Sequence, residues 1–499
     1  MGGPVPTPSP PTIAAMASLA DESRPARGDT ADTPPVGDAA VPGDRIHDAP
    51  KPDTRARAVS AARPRLDAAA HVLRQWAAPV AVFFVIRAIG VLVLADMAYA
   101  NGKSLGDRLA AWDGEWMLAI AEHGYGGVPP GLTDARGVHT ADTAYAFFPG
   151  YPYLVSLVAR LPLVTTYGAA ITVNVVLCVF AAAGVARLGA LCAERMSAAP
   201  PWSGDRVRRV LPRSLTLLVP AAPDGRRTTT RGSDNPASDI PGSPNPRTVG
   251  LIAVALFAAT PMSIVLNMAY TEALFCALAV WALIGVLEGR WLLAGVCALF
   301  AGATRPTGIV VIGVVVLAGL SALRRRPGRR PADARTRIRA AIALSSIGYF
   351  GYLCAVWAHT GNPLGWFTIQ TEGWDTRFDF GVAAVRFVND TLAHSGEFAP
   401  VATAWIMLST PLLITVAVWA RLPWPVLLYA ALVVVSIVAS SGLMMSRARL
   451  LLPAFVLLIP FAVIMARWRP AAIAATLVPI VAASSWFGAH MLTVYPHAM

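Results

Sequence analysis

The stretch Tyr145-Ala146-Phe147-Phe148-Pro149-Gly150-Tyr151-Pro152-Tyr153-Leu154-Val155-Ser156-Leu157-Val158-Ala159-Arg160 decides how this chain is threaded. It is apolar, yet it carries two prolines, three tyrosines and a terminal arginine. A helix of this length covers only about 24 Å, short of the roughly 30 Å hydrocarbon core of a bilayer. Were it to cross, the basic segment 194–248 would face outside. Held as an interfacial helix on the outer surface, it leaves that segment in the cytoplasm, where Arg-rich loops belong. We therefore read it as interfacial, joined to 109–125 in one extracytoplasmic loop, 98–167.

Outward from this stretch the composition is that of a membrane protein. Hydrophobic residues make up 55% of the 499 positions and charged residues only 14%, too little charge to cover a soluble surface of this size. Apolar runs recur at about 77–97, 168–192, 249–269, 272–288, 291–304, 306–323, 340–358, 399–420, 424–444, 450–466 and 470–489. They predict an all-α polytopic protein of about eleven transmembrane helices. Segment 194–248 holds nine Arg against five acids, and 323–339 holds eight Arg against one Asp. Segments 98–143 and 359–397 lean acidic, so the positive-inside rule places the first pair in the cytoplasm and the second outside.

The net charge of +12 thus belongs to a few loops. No basic stripe alternates with stacking aromatics, which argues against a nucleic-acid partner. Residues 1–75, rich in Pro, Ala, Asp and Arg, read as a disordered cytoplasmic tail without a signal-peptide pattern. Segment 194–248 reads as a disordered basic cytoplasmic loop. Between and beyond them lies one transmembrane domain, 77–489. The five cysteines sit in or beside apolar runs without a Cys-x-x-Cys pair, and the eight histidines are scattered. Neither a disulfide framework nor a metal site is indicated.

Chemistry gathers at the expected outer ends. In Trp112-Asp113-Gly114-Glu115-Trp116, a carboxylate stands between tryptophans at headgroup depth, where a lipid-borne substrate is within reach. On a helix Trp112 and Trp116 share a face, whereas Asp113 and Glu115 point apart. They therefore do not form a paired-carboxylate site, and Asp113 is the better single candidate. A helix-terminal Asp near headgroups is the plain alternative. Asn267-Met268-Ala269-Tyr270-Thr271-Glu272 joins two apolar runs at the same surface, and a capped turn explains it equally well. Arg305, in Thr304-Arg305-Pro306-Thr307-Gly308, lies on the side where basic residues are depleted and suits an anion.

Gly365-Trp366-Phe367-Thr368-Ile369-Gln370-Thr371-Glu372-Gly373-Trp374 combines aromatic platforms with hydrogen-bonding groups, as sugar sites and aromatic belts both do. Arg447 and Arg449 stand at the outer end of a span, fit for a phosphate or for snorkelling. Arg87, inside the first span, needs either an outer-loop acid or a helix carbonyl. A carboxylate, several arginines and aromatics on one side suit a phosphate-linked sugar donor.

With these motifs in order, the chain resembles the PIG-V type mannosyltransferases of the GT-C class. The resemblance runs through Trp112-Asp113-Gly-x-Trp116 with Gly124-Tyr125, Phe147-Phe148-Pro149-x-Tyr151-Pro152, Tyr270-x-Glu272-Ala-Leu-Phe275, Thr304-Arg305-Pro-Thr-Gly308, and Arg449 with Leu-Leu-Leu-Pro453. It covers about 77–470. It implies a GT-C-like fold and transfer of mannose from a polyprenyl-phosphate-mannose donor to a lipid-linked or cell-envelope acceptor outside the membrane. Asp113 takes the place of the family's essential Asp. Glu115, Trp112, Trp116, Tyr125, Tyr270, Glu272, Arg305, Gln370, Trp374, Arg447 and Arg449 are the expected substrate contacts. The scheme calls for no cofactor and no metal.

The Arg-rich, Ala-rich, nearly Lys-free composition points to a bacterial plasma membrane. Pro306-Thr307 replaces the Ser-Asn pair of the eukaryotic pattern, leaving the acceptor open. A flippase for lipid-linked saccharides is the principal rival. It would place polar groups at mid-membrane depth and show matching broken helices, neither of which stands out here. An inactive envelope scaffold is the third reading.

Overall fold

The computed structural model describes residues 54–198, 244–324 and 332–495. The expected tail up to residue 53, most of the basic loop 194–248 and the centre of 323–339 lie outside the described residues. The helix bundle with its sites lies within Arg65–Met499.

Helices make up the regular structure, and a single isolated bridge joins Phe378 to Ser440 among the described residues. The first helix, α1, begins at Thr54, inside the segment that composition assigns to the tail, and runs to Ala100. Five helices are long and apolar enough to cross a membrane. They are α1 over Gln75–Ala100, α5 (Thr166–Ala198), α10 (Ala332–Thr360), α13 (Phe398–Trp419) and α17 (Pro470–Thr493). A sixth is broken. It joins Met444–Leu450 to Leu452–Met465 across a bend of 52°.

The other apolar runs form shorter helices: α6 (Pro246–Ala258), α7 (Glu272–Glu288), α8 (Trp291–Thr304), α9 (Gly308–Arg324) and α14 (Trp424–Val438). The expected span 249–269 stops early for a local reason. After Ala258 the chain meets Pro261, which lacks an N–H, and then Met262 in the left-handed region at φ 61°; a 3-10 helix, Ser263–Asn267, follows. The expected span 450–466 breaks likewise, with Pro453 opening the 3-10 helix Leu452–Leu458 and Pro460 opening α16 (Ile459–Met465).

Arg87 holds the first break together. Buried in α1, it donates from Nη1 to the Ala258 carbonyl at 3.0 Å and to Ser263 Oγ, and from Nε to Asn267 Oδ1 at 2.8 Å. Of the two partners open to it in sequence, the helix carbonyl is the one it takes. The guanidinium thus satisfies a terminal carbonyl of an interrupted helix where water cannot.

The segment 145–160 forms a 10-residue helix, α4 (Gly150–Ala159), too short to cross. It packs on α5 and on α3 (Asp113–His123), which follows the short α2 (Leu105–Ala110). In the core, α8 packs against α7, α9 and α10. Its closest approach to α10 falls at Gly348, where an added Cβ would lie 2.0 Å from the Leu299 carbonyl oxygen. Small residues permit such backbone contact, and dispersion then holds helices that hydrophobicity alone would not pair in lipid. Gly348→Val is expected to force these helices apart and cost about 1–3 kcal/mol, read as a lower unfolding temperature of the purified protein. An unchanged temperature would contradict the contact.

Candidate functional site

The helices alternate in direction, so Glu272, Arg305 and Gly308 meet at one end of the bundle while Glu288, Trp291 and Arg324 mark the other. Asn174 of α5 reaches the first end and donates from Nδ2 to the Met268 carbonyl. That end collects most of the candidate residues.

Asp113 opens α3, and its Oδ2 lies 2.7 Å from Arg449 Nη1. The arginine is buried, with 6% of its side chain exposed, whereas the Asp113 side chain is 34% exposed. The carboxylate is therefore reachable with a cation fixed behind it. Arg449 belongs to α15 (Arg447–Leu450), and its guanidinium also lies 5.0 Å over the ring of Tyr270. Tyr270 in turn donates its hydroxyl to the Ala111 carbonyl at 2.9 Å, two residues before Asp113. The Ala269 N–H binds the Leu109 carbonyl at 2.9 Å, so the loop before α7 and the start of α3 are laced together. Burial pushes the Tyr270 hydroxyl far above the ordinary phenol range, which keeps it a neutral donor. Gly114 gives the ring room, because a Cβ there would sit 3.2 Å from Tyr270 Cε1.

Trp112 departs from expectation. It precedes α3 rather than belonging to it, with φ 57° and ψ −116°, so it does not share a helical face with Trp116. A tryptophan rarely adopts positive φ, and such strain persists only where surrounding contacts impose it. Trp116 is buried, its ring stacked on Phe147 at 5.3 Å and edge-on to Trp374 at 6.0 Å. Glu115 is exposed.

A second ion pair lies deeper. Arg305 Nη1 stands 2.7 Å from Glu272 Oε1, with 10% and 2% of the two side chains exposed. Glu272, expected to meet substrate, is enclosed and committed to Arg305. Gln370 and Tyr125 are committed as well. Gln370 Nε2 donates to the Ala146 carbonyl at 3.0 Å, and Tyr125 donates to the Phe147 carbonyl at 2.8 Å. Both fasten the 145–148 segment, and burial keeps the Tyr125 hydroxyl protonated. Arg447 turns from the carboxylates and donates to Ser440 Oγ at 3.0 Å, to the Ser440 carbonyl at 2.7 Å and to the Ser441 carbonyl, pinning the turn after α14.

Several buried donors here lack a well-aligned acceptor: Arg305 Nη1, Arg449 Nε and Nη1, Arg447 Nε, Thr307 Oγ1 and Ser446 Oγ. Arg305 and Arg449 each have a carboxylate oxygen at 2.7 Å, so charge is matched in both pairs. Arg449 Nε, Thr307 Oγ1 and Ser446 Oγ are the donors an incoming anion would meet.

Two contributors escaped sequence reading. The Tyr352 hydroxyl of α10 lies 2.6 Å from the Phe147 carbonyl and 2.7 Å from the Tyr145 carbonyl and shares its one proton between them, and a tyrosine in an apolar run gives no warning of this. Asn174 did carry a signal, as an amide inside an apolar span. Among the described residues no three His, Cys, Asp or Glu side chains gather as metal ligands would.

No known family profile matches the chain, and no curated protein is similar to it in sequence. Among solved structures, the oligosaccharyltransferase of Archaeoglobus fulgidus, crystallised with a tethered acceptor peptide containing the NVT sequon, aligns over 84% of this chain and 56% of its own. The identity is 11% and the TM-score 0.37, a likeness too slight to carry an argument, and this chain spans little more than half of that protein's length. The resemblance to the PIG-V type therefore rests on the ordered motifs themselves.

Glu272→Ala is expected to leave Arg305 uncompensated in the interior and to cost about 3–5 kcal/mol, with Glu272→Gln/Arg305→Gln recovering part of it. Thermal unfolding of the three purified proteins checks this, and a wild-type transition for Glu272→Ala would contradict the enclosed pair.

Proposed function

We propose that the chain is a membrane glycosyltransferase of the GT-C type, moving a sugar from a polyprenyl-phosphate donor to a lipid-linked or envelope acceptor. The observation that carries this is the half-open Asp113 carboxylate backed by buried Arg449. It sets a proton acceptor beside a buried guanidinium at one end of the bundle.

The reaction is a direct inverting displacement. The acceptor hydroxyl oxygen bonds to the anomeric carbon, the bond from that carbon to the donor phosphate breaks, and the lipid phosphate departs with the electron pair. Asp113 takes the hydroxyl proton as general base. Arg449, shared with the arriving phosphate, loosens its hold on Asp113 and stabilises the charge on the leaving group. Thr307 and Ser446 supply further donors. Glu272 and Tyr270 hold Arg305 and the start of α3 in register rather than gripping sugar. Trp112 and Trp374, with buried Trp116 behind them, and the exposed Glu115 line the approach for the acceptor. The PIG-V resemblance makes mannose the sugar of choice, the distribution of Arg-rich loops makes the active end the outer one, and the Arg-rich, nearly Lys-free composition makes the membrane a bacterial plasma membrane.

The test is transfer of radiolabelled mannose from synthetic polyprenyl-phosphate-mannose into membrane lipids. Asp113→Asn, nearly isosteric and still able to face Arg449, is expected to lower the rate at least about 100-fold with the protein folded and inserted. Full transfer by this variant would remove Asp113 from the base role. Failure of the wild type with every sugar on this carrier, with lipid-linked saccharide crossing vesicles instead, would favour the flippase.

A further inference from the structure

Between α10 and α13 the chain forms two further helices, α11 (Gly365–Trp374) and α12 (Val382–His394). The turn from α13 to α14 lies beside Glu288, so Phe398 and Val438, at the other ends of those helices, belong to the Asp113 end of the bundle. The start of α12 is fastened there. The Asp379 N–H binds the Ala439 carbonyl at 3.0 Å, and the Ser441 N–H binds the Arg377 carbonyl at 2.8 Å. Asp379 then caps the helix, its carboxylate accepting from the Gly381 and Ala383 N–H groups at 3.0 and 2.8 Å. At the far end only Ser395, Gly396 and Glu397 separate α12 from α13. A helix of 13 residues is about 20 Å long. With both its ends tied to the same end of the bundle, it runs along the membrane surface and does not cross.

Its sequence divides the helix into three faces at about 100° per residue. Ala384 and Thr391 are buried, and Phe387 and Val388 on either side of them pack on the core. That is the face turned to the protein. Val382, Val385 and Leu392 share an exposed arc about 80° wide. No charged residue falls on this arc; Asn389, a neutral amide, lies within it. Arg386 and Asp390 form the third face, exposed and beyond Val382. A helix at the rim of a membrane protein meets these three surroundings: protein, hydrocarbon and water.

Surroundings on the page select hydrocarbon for the apolar arc. Phe378 and Phe380, which lead into the helix, stand edge to face with ring centres 4.8 Å apart. Phe380 is 86% exposed and Val385 69%. Contiguous apolar surface of this kind needs a cover. α12 packs on α13, a helix long and apolar enough to cross a membrane, which itself exposes Phe398 and Trp405. The arc therefore continues a surface that already faces lipid. Arg377, exposed beside Phe378, has the reach to keep its guanidinium among headgroups.

We propose that α12, with Phe378 and Phe380, is an in-plane membrane anchor. Val382, Val385, Leu392 and the two phenyl rings enter the acyl chains of the leaflet on the Asp113 side, while Arg386 and Asp390 stay at the water boundary. The anchor holds the ends of α13 and α14 at a set depth. Arg447, which binds the Ser440 and Ser441 carbonyls after α14, is held with them. This placement holds whatever chemistry the Asp113 site performs.

Depth measurement by spin label tests this. The full-length chain carrying Cys354→Ser keeps four cysteines, all buried. In that background Val385→Cys and Asp390→Cys are each given a nitroxide and reconstituted in phosphatidylcholine vesicles. Collision with oxygen, which concentrates in acyl chains, is compared with collision with a water-soluble nickel chelate present on both sides. The label at Val385 is expected about 5–10 Å below the headgroup boundary, reached by oxygen and shielded from nickel. The label at Asp390 is expected to meet nickel freely. Equal nickel access at the two positions would place the helix in water and overturn the proposal. A Val385 label shielded from oxygen and nickel alike would also overturn it, in favour of a protein cover such as a second copy of this chain. Should Val385→Cys fail to fold, Val382→Cys on the same arc gives the same reading.

Discussion

The contact between Arg305 and Glu272 ties together the start of α7, the end of α8 and the turn into α9. Both charges lie where water does not reach, so neither is tolerable without the other. Their pairing fixes where three short helices meet, and the loop carrying Tyr270 emerges from that junction. Tyr270 then reaches the Ala111 carbonyl and lies beneath Arg449. The accessible carboxylate of Asp113 is thus positioned through a chain of buried polar contacts rather than by its own loop.

The same demand for internal satisfaction explains the broken helices. Where Pro261 interrupts one apolar run, Arg87 takes up the carbonyl left behind. Where Ser440 and Ser441 follow α14, Arg447 binds their carbonyls. In each case a buried guanidinium stands in for water at the frayed end of a helix. Of these four arginines, Arg87 and Arg447 serve backbone while Arg305 and Arg449 serve carboxylates. That division leaves Arg449, whose carboxylate partner is partly exposed, as the arginine an anion approaches.

The two ends of the bundle differ in how their charges are held. At one end carboxylate and guanidinium are matched in buried or half-buried pairs, Glu272 with Arg305 and Asp113 with Arg449. At the other, Glu288 is paired with the exposed Arg187.

Composition and apolar run length alone determined that this is a helical, membrane-embedded chain, because burying some twenty residues against lipid requires little more than their apolarity. They also kept α4 out of the set of spans and grouped Asp113, Tyr270, Glu272, Arg305 and Arg449 at one surface, since both follow from length and the order of segments. Helix ends were less legible. The runs at 249–269 and 450–466 looked continuous because hydropathy does not register a proline or a positive φ. The pairing was beyond reach: Arg449 with Asp113 and Arg305 with Glu272 join residues hundreds and tens of positions apart, and a one-dimensional pattern assigns those arginines to phosphate as readily as to carboxylate. Only close packing of α7, α8, α9 and α15 decides which buried charge has which neighbour, because desolvation makes any other arrangement too costly to hold.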